Sequence, residues 1–538
     1  MFSKAMQTTA APEPAPPPPT ALRFSRKEIL SILAGLMLAM FLAGLDQTIV
    51  ATSLSTMAQD LQGWALMSWV VTAYLVASTV TTPIYGRLSD IYGRRPMLLV
   101  SVGVFVGASV LCALSQTMPQ LIGARVLQGI GGGGLRSVSQ AAIADIIPPR
   151  ERGRYQGYFS SVMAVSNVLG PVLGGFFADY LTWHWIFWIN IPFGIVCILL
   201  SNRNLRRLPR PGKRAIIDWL GAGLIVAATV PLLLALSRVE AGGGWLEVGV
   251  ILPLGAGIVF AILLVAWERE ARSPMLPLRL FGNRIFTVAS FITFTESMVM
   301  IAMIILVPLA FELMGGLSPD AAGTRLIPMT GGTVLGSYIA GRLVSRTGRY
   351  RRYPIAAAAA MTLACAAIAI LGLGRNVALD SALTAALGLS FGFQLSPVIV
   401  PVQNALAIED TGIGLATVMF FRLIGGAFGV ALLTALLMAG LNDAILGLPG
   451  ASTLGPNPAL TLLHSQFGAD AGQSLPAGVA AAVGAAFELV FFSAAAIAAA
   501  TFIGALWLNE IPLRGAAPLT APAGTTAAPR GQQRQPAE

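Results

Sequence analysis

Gly86-Arg87-Leu88-Ser89-Asp90-Ile91-Tyr92-Gly93-Arg94-Arg95-Pro96 lies between two long apolar runs. Glycine at positions 86 and 93 permits a sharp backbone turn and a close approach of neighbouring helices. Arg94 and Arg95 are the kind of charge that collects on the cytoplasmic side of a bilayer. Asp90 is a single acid among bases, placed for a salt-bridge relay. The stretch reads as a short loop joining two membrane spans.

The pattern returns 255 residues later as Gly341-Arg342-Leu343-Val344-Ser345-Arg346-Thr347-Gly348-Arg349, with Gly, Arg, Leu, Gly and Arg at the same offsets. An internal repeat of this kind implies two related halves. Ser345 stands in the place of Asp90. The halves are therefore expected to be alike in build and unequal in duty.

Of the 538 residues, 55% are hydrophobic and 11% charged. A water-soluble fold does not keep so many apolar residues out of water. Runs of about 20 apolar residues span a bilayer, and the chain reads as an all-α polytopic membrane protein with 14 transmembrane helices. No cleavable secretory signal is evident. The net charge of +10 raises the question of nucleic acid. Its distribution argues against that partner: Lys and Arg crowd alternate connections, whereas the opposite ones carry only Arg238 and Arg375. This asymmetry orients a multi-pass protein of the cell inner membrane with both termini cytoplasmic. Cys112, Cys197 and Cys365 lie in apolar spans without a pairing pattern and read as packing residues. There is no Ser-His-Asp, zinc or phosphate-loop constellation, so neither an enzyme nor a metal site is expected.

Residues 1–28 form a proline-rich, disordered cytoplasmic lead-in, and 29–201 hold a first six-helix bundle. Residues 202–284 carry a basic linker, two extra spans and a second cytoplasmic linker. Residues 285–508 hold the second six-helix bundle, with a long external loop at 442–477 whose middle, 458–467, suits a short interfacial helix. Residues 509–538 form a low-complexity, disordered cytoplasmic tail.

Ionisable groups inside a span are expensive and mark function by default. Asp46 sits in Leu45-Asp46-Gln47-Thr48-Ile49-Val50 of the first span. A carboxyl held out of water there can carry a proton, or can serve as a hydrogen-bonded acid that fixes helix ends. Arg125 precedes Gln128-Gly129-Ile130-Gly131 in the fourth span; it either tunes a nearby carboxylate or forms a fixed ion pair. Gly170-Pro171-Val172-Leu173-Gly174-Gly175 combines a helix-kinking proline with small residues that let a neighbour slide. Glu296 roughly corresponds to Asp46 across the repeat and can bind a second proton or a cationic substrate. Arg422 and Glu488 are candidates to pair inside the second half. Asp145 reads as interfacial. Gln128, Glu296 and Gln394 are the polar substrate-binding candidates.

These stretches resemble the motifs of the major facilitator superfamily, and together those of its fourteen-helix drug:proton antiporter branch. The 86–95 stretch resembles the signature between helices 2 and 3. The Asp46 and Arg125 stretches resemble the first- and fourth-helix motifs, and Gly170-Pro171 with Gly174-Gly175 resembles the antiporter motif. Two departures stand out: Ser53-Leu54-Ser55 replaces the family's Ala-Leu-Pro, and Ser166 replaces a glycine. The resemblance implies two bundles that alternate access around a central cavity, with the extra helices at the periphery. It implies proton-coupling roles for Asp46, Arg125 and Glu296. It implies conformational-switch roles for Gly86, Arg87, Asp90, Gly93, Arg94, Gly170, Pro171, Gly174 and Gly175. The function implied is proton-coupled export of hydrophobic, cationic drugs, with antibiotic resistance as a consequence and a proton gradient in place of any cofactor. The alternative is a lipid or amphiphile transporter that takes substrate from the bilayer. The partners implied are a small lipophilic substrate, protons, membrane lipid, and a periplasmic adaptor or lipid-handling protein meeting the long loop.

Overall fold

The computed structural model describes residues 26–207, 218–446 and 477–512, apart from gaps of one to three residues in connections. Most of the lead-in and tail, the centre of the basic linker, and most of the long loop with its 458–467 segment lie outside the described residues.

Within them the chain is helical, with fourteen helices of fifteen residues or more. The first six are α1 (Arg26–Ala51), α2 (Met67–Tyr92), α3 (Arg94–Ala113), α4 (Met118–Ile146), α5 (Pro149–Tyr180) and α6 (Asn190–Asn204). Two more follow, α7 (Trp219–Glu240) and α8 (Val248–Glu270). The last six are α9 (Arg284–Gly315), α10 (Ile327–Thr347), α11 (Arg352–Leu371), α12 (Val377–Ala405), α13 (Thr411–Leu446) and α14 (Ala477–Leu506). Ten helices among the described residues are long and apolar enough to cross a membrane. The segment after α1 winds into a short helix, Leu54–Asp60.

Local chemistry sets the helix ends. The Thr117 side chain accepts from the Gln120 amide at the start of α4. Asn283 and Asn376 cap α9 and α12 in the same way, satisfying amides that a helix start leaves open. Gly348 ends α10 in the left-handed region, at φ 68°. Its counterpart Gly93, at φ 97°, is the one residue between α2 and α3. The expected eleven-residue loop is thus mostly helix, and Gly93 alone makes the turn, because without a Cβ it takes this φ at little cost.

The repeat is visible in the packing. In the first half α1 lies on α5, α6 and α4, α2 on α4, and α3 on α4 and α6. In the second half α9 lies on α13, α14 and α12, α10 on α12, and α11 on α12 and α14, so each of these pairs recurs eight helices on. The halves meet most extensively through two swapped contacts, α2 with α13 and α5 with α10, flanked by α4 with α13 and α5 with α12. Each half has its own apolar core. The additional pair packs together, with α7 against α13 and α2.

Candidate functional site

Asp46 is completely buried inside the first half. Arg125 on α4 donates Nη1 to Asp46 Oδ2 at 2.6 Å and Nε to the Val70 carbonyl at 3.1 Å. Its guanidinium lies over the Tyr74 ring of α2, 4.3 Å from the centroid. Gln128, one turn on, donates to Asp46 Oδ1 at 2.8 Å and to Ser109 Oγ at 2.6 Å, while its own carbonyl accepts from Arg125 at 2.7 Å. Asn190 of α6 completes the cage, donating to Asp46 Oδ1 at 3.3 Å and to Ser109 Oγ at 3.1 Å. Cys112 donates Sγ to Gln128 Oε1 at 3.4 Å. A buried charge persists only when paired and hydrogen-bonded. Five helices, α1, α2, α3, α4 and α6, meet that requirement here. The sequence singled out Asp46, Arg125 and Gln128; it missed Tyr74, Ser109 and Asn190. A buried amide in the apolar run of α6 was the signal available for Asn190. Gln128, expected to face substrate, spends its amide inside this cage.

Glu296 is also buried, on α9. Its partner is Arg422 of α13, with Nη2 3.6 Å from Oε2, and not Glu488 as the partner for that arginine was expected to be. Glu488 is exposed on the outside of α14, because it lies on the opposite face from the α14 residues in the core. Among the described residues Glu296 Oε1 has no hydrogen-bond partner. Arg422 also points Nη2 at Met300 Sδ, 3.4 Å away. Gln394 is buried on α12, its Nε2 3.7 Å from Met361 Sδ and its Oε1 without a partner among the described residues.

The signature residues sit at one end of the bundle, called the inner end here. Arg94 contacts Asp90 at 2.5 Å and Asp145 at 2.8 Å, and donates to Ser89 Oγ at 2.6 Å. Asp145 is thus part of the charge relay. Asp90 Oδ2 accepts the Ile413 amide at 2.9 Å, in the first turn of α13. A carboxylate suits a helix N-terminus, where open amides and the helix dipole both favour negative charge. Asp90 lies beyond the apolar stretch of α2, and burial pushes its carboxyl up to about 6, against the pull of Arg94 and the Ile413 amide. Two glycines permit the contact: a Cβ on Gly412 would strike the Asp90 carboxylate, and one on Gly86 would strike Ala416. Arg87 is half-buried beside them. Arg95 donates to Asn202.

The antiporter-motif helix α5 lies along α1. Thr48 donates to the Ser166 carbonyl at 3.1 Å, and a Cβ on Gly170 would strike the Thr48 hydroxyl. Ser53, the departure noted above, donates to the Gly174 carbonyl at 3.1 Å. Pro171 and Gly175 lie in the same helix.

A repeated six-helix bundle, a sealed acid–arginine pair and a carboxylate latch between halves describe one kind of machine. The sequence pattern of the Major Facilitator Superfamily matches residues 36–430. The chain belongs to the Major Facilitator Superfamily. It is a multi-pass membrane transporter and not an enzyme. An uncharacterized MFS-type transporter of Mycobacterium tuberculosis is 36% identical, over 90% of this chain and 70% of that one. The multidrug transporter protein MdtP of Bacillus subtilis is 34% identical, over 76% of this chain and 75% of its own. Among solved structures the proton:xylose symporter XylE superposes with a TM-score of 0.59 at 15% identity, covering 89% of this chain and 95% of that chain. The human organic anion transporter MFSD10 gives 0.56 at 15% identity, covering 89% and 100%. At that identity the likeness is one of superfamily fold.

Proposed function

We propose that this chain is a secondary active exporter of the cell inner membrane that exchanges protons for small lipophilic compounds. All fourteen long helices cross the bilayer, in two six-helix bundles with α7 and α8 beside them, and both termini lie in the cytoplasm at the inner end. The observation that carries this reading is the Asp46–Arg125 pair, a charge couple sealed within one bundle. The relative named as a multidrug transporter, MdtP, supports the export direction.

In this mechanism a proton from outside neutralises Asp46. Arg125, Gln128 and Asn190 then lose the anion that orders them, and α1, α3, α4 and α6 shift relative to one another. Thr48 and Ser53 pass the shift from α1 to α5 beside Gly170 and Gly174. At the inner end Asp90 and Arg94 hold the first half to the start of α13, so release of that latch admits substrate from the cytoplasm or inner leaflet. Arg87, Gly86 and Gly93 shape the latch. Glu296 is a second proton site, while Gln128 and Gln394 tune the polar interior. Each elementary charge returning through the membrane supplies about 2.3 kcal/mol per 100 mV, roughly a fiftyfold accumulation ratio.

The test is flux in inside-out vesicles with and without a pH gradient. Asp46→Asn should lower gradient-driven transport at least tenfold at unchanged expression. Unchanged gradient-driven transport in that variant removes Asp46 from coupling.

A further inference from the structure

Arg125 and Arg136 are eleven residues apart on α4, about three turns, so they share one face. They converge from opposite directions on adjacent residues of α1. Arg125 meets Asp46. Arg136 meets Gln47, donating Nη2 to its Oε1 at 2.6 Å and to the Ala43 carbonyl at 3.3 Å. Both partners of Arg136 are uncharged. Its Nε is buried and without a hydrogen-bond partner among the described residues.

Position adds to this. From Gly131 to Ala144, Arg136 is the one residue of α4 that is not buried. Gln47 is likewise half-buried beside a buried stretch of α1. Apart from their mutual contact, α1 lies on α5 and α6, and α4 on α2, α3 and, from the second half, α13. The partly exposed face that Arg136 and Gln47 share therefore looks toward the second half. Arg136, Glu296 and Arg422 all lie ten to twelve residues from the inner ends of their helices. Further out Asp46 is matched by Arg125, and at this depth Glu296 is matched by Arg422, whereas Arg136 faces only uncharged acceptors among the described residues.

We infer that Arg136, oriented by Gln47, is the head-group site for substrate, and that the substrate class is lipophilic compounds carrying an anionic group. An anion at the partly exposed guanidinium gives Arg136 a charge-assisted hydrogen bond and offsets the cost of an unmatched cation at membrane depth. The cationic preference expected from Asp46 and Glu296 loses its footing, since both carboxylates already face arginines. The inference rests on the exporter reading. Proton and anion bind different groups, so their exchange works through conformations that each favours differently.

The probes are 1-pyrenebutyrate, its neutral methyl ester and 1-pyrenebutylammonium, which share one apolar body. Equilibrium binding to the full-length protein in nanodiscs, with empty nanodiscs subtracted, is read by pyrene fluorescence without any gradient. The wild type should bind the butyrate at least tenfold more tightly than the ammonium. Arg136→Gln should weaken the butyrate about tenfold and leave the ester within twofold. Arg136→Lys should restore at least half of that loss on a logarithmic scale, which a merely unfolded variant cannot do. Preference for the ammonium, absence of butyrate binding, or an unchanged butyrate affinity in Arg136→Gln overturns the proposal. Because no proton moves in this assay, its failure is separable from failure of coupling in the Asp46→Asn flux measurement.

Discussion

The two halves repeat each other helix for helix, yet they treat their buried acids differently. In the first half Asp46 has Arg125 at 2.6 Å and two amides, Gln128 and Asn190, on its other oxygen. In the second, Arg422 stands 3.6 Å from Glu296, outside hydrogen-bond range, and the remaining oxygen is open among the described residues. The signature copies differ in the same sense. Asp90 reaches across to the first turn of α13, whereas Ser345 turns back on the Gly341 carbonyl of its own helix at 2.9 Å. Duplication has preserved the frame, and the charge work has concentrated on one side.

Removing one partner from each buried pair tests this contrast most strongly. Arg125→Met should destabilise the protein by about 3–5 kcal/mol, because it strands a sealed carboxylate. Arg422→Met should cost less, about 1–3 kcal/mol, since little hydrogen bonding is lost. Denaturant unfolding of the purified proteins compares them, and equal losses would erase the distinction. Glu296→Gln should lower gradient-driven flux only severalfold, against at least tenfold for Asp46→Asn; the reverse order would make the second half the coupling half. Gly412→Ala should drive Asp90 from its seat and open the inner end. Maleimide labelling of a cysteine placed at Ala416 should then speed up severalfold; unchanged labelling would show that the carboxylate is no latch. Ser345→Asp is the mildest probe. It should change transport less than twofold, because no helix start is shown waiting for that acid.

The frame was readable from the chain because it rests on repeated runs and on glycines with fixed offsets. Gly93 and Gly348 occupy matching places and both adopt positive φ. Asp46 and Arg125 were each readable as charges that a membrane interior does not tolerate singly, and the structure makes them partners. What escaped was the set of neutral partners. Tyr74, Ser109 and Asn190 come from three other helices; Asn190 carries a local signal, an amide in an apolar run, but nothing local distinguishes Tyr74 and Ser109 from ordinary packing residues. The second-half pairing was misassigned for a related reason: linear spacing does not say which face of α14 is covered, and Glu488 lies on the open one. Gly412 escaped because its importance lies in the atom it lacks, opposite a carboxylate 322 positions earlier in the chain.

One residue, Gly93, separates α2 from α3. So tight an elbow has no slack, and the two rods it joins must turn together. One rod ends at the Asp90 seat, and the other carries Ser109, which is bonded to the amides that hold Asp46. In the proposed mechanism the joint is a mechanical crank between the proton's lodging and the inner door, and its stiffness sets how faithfully one reports on the other.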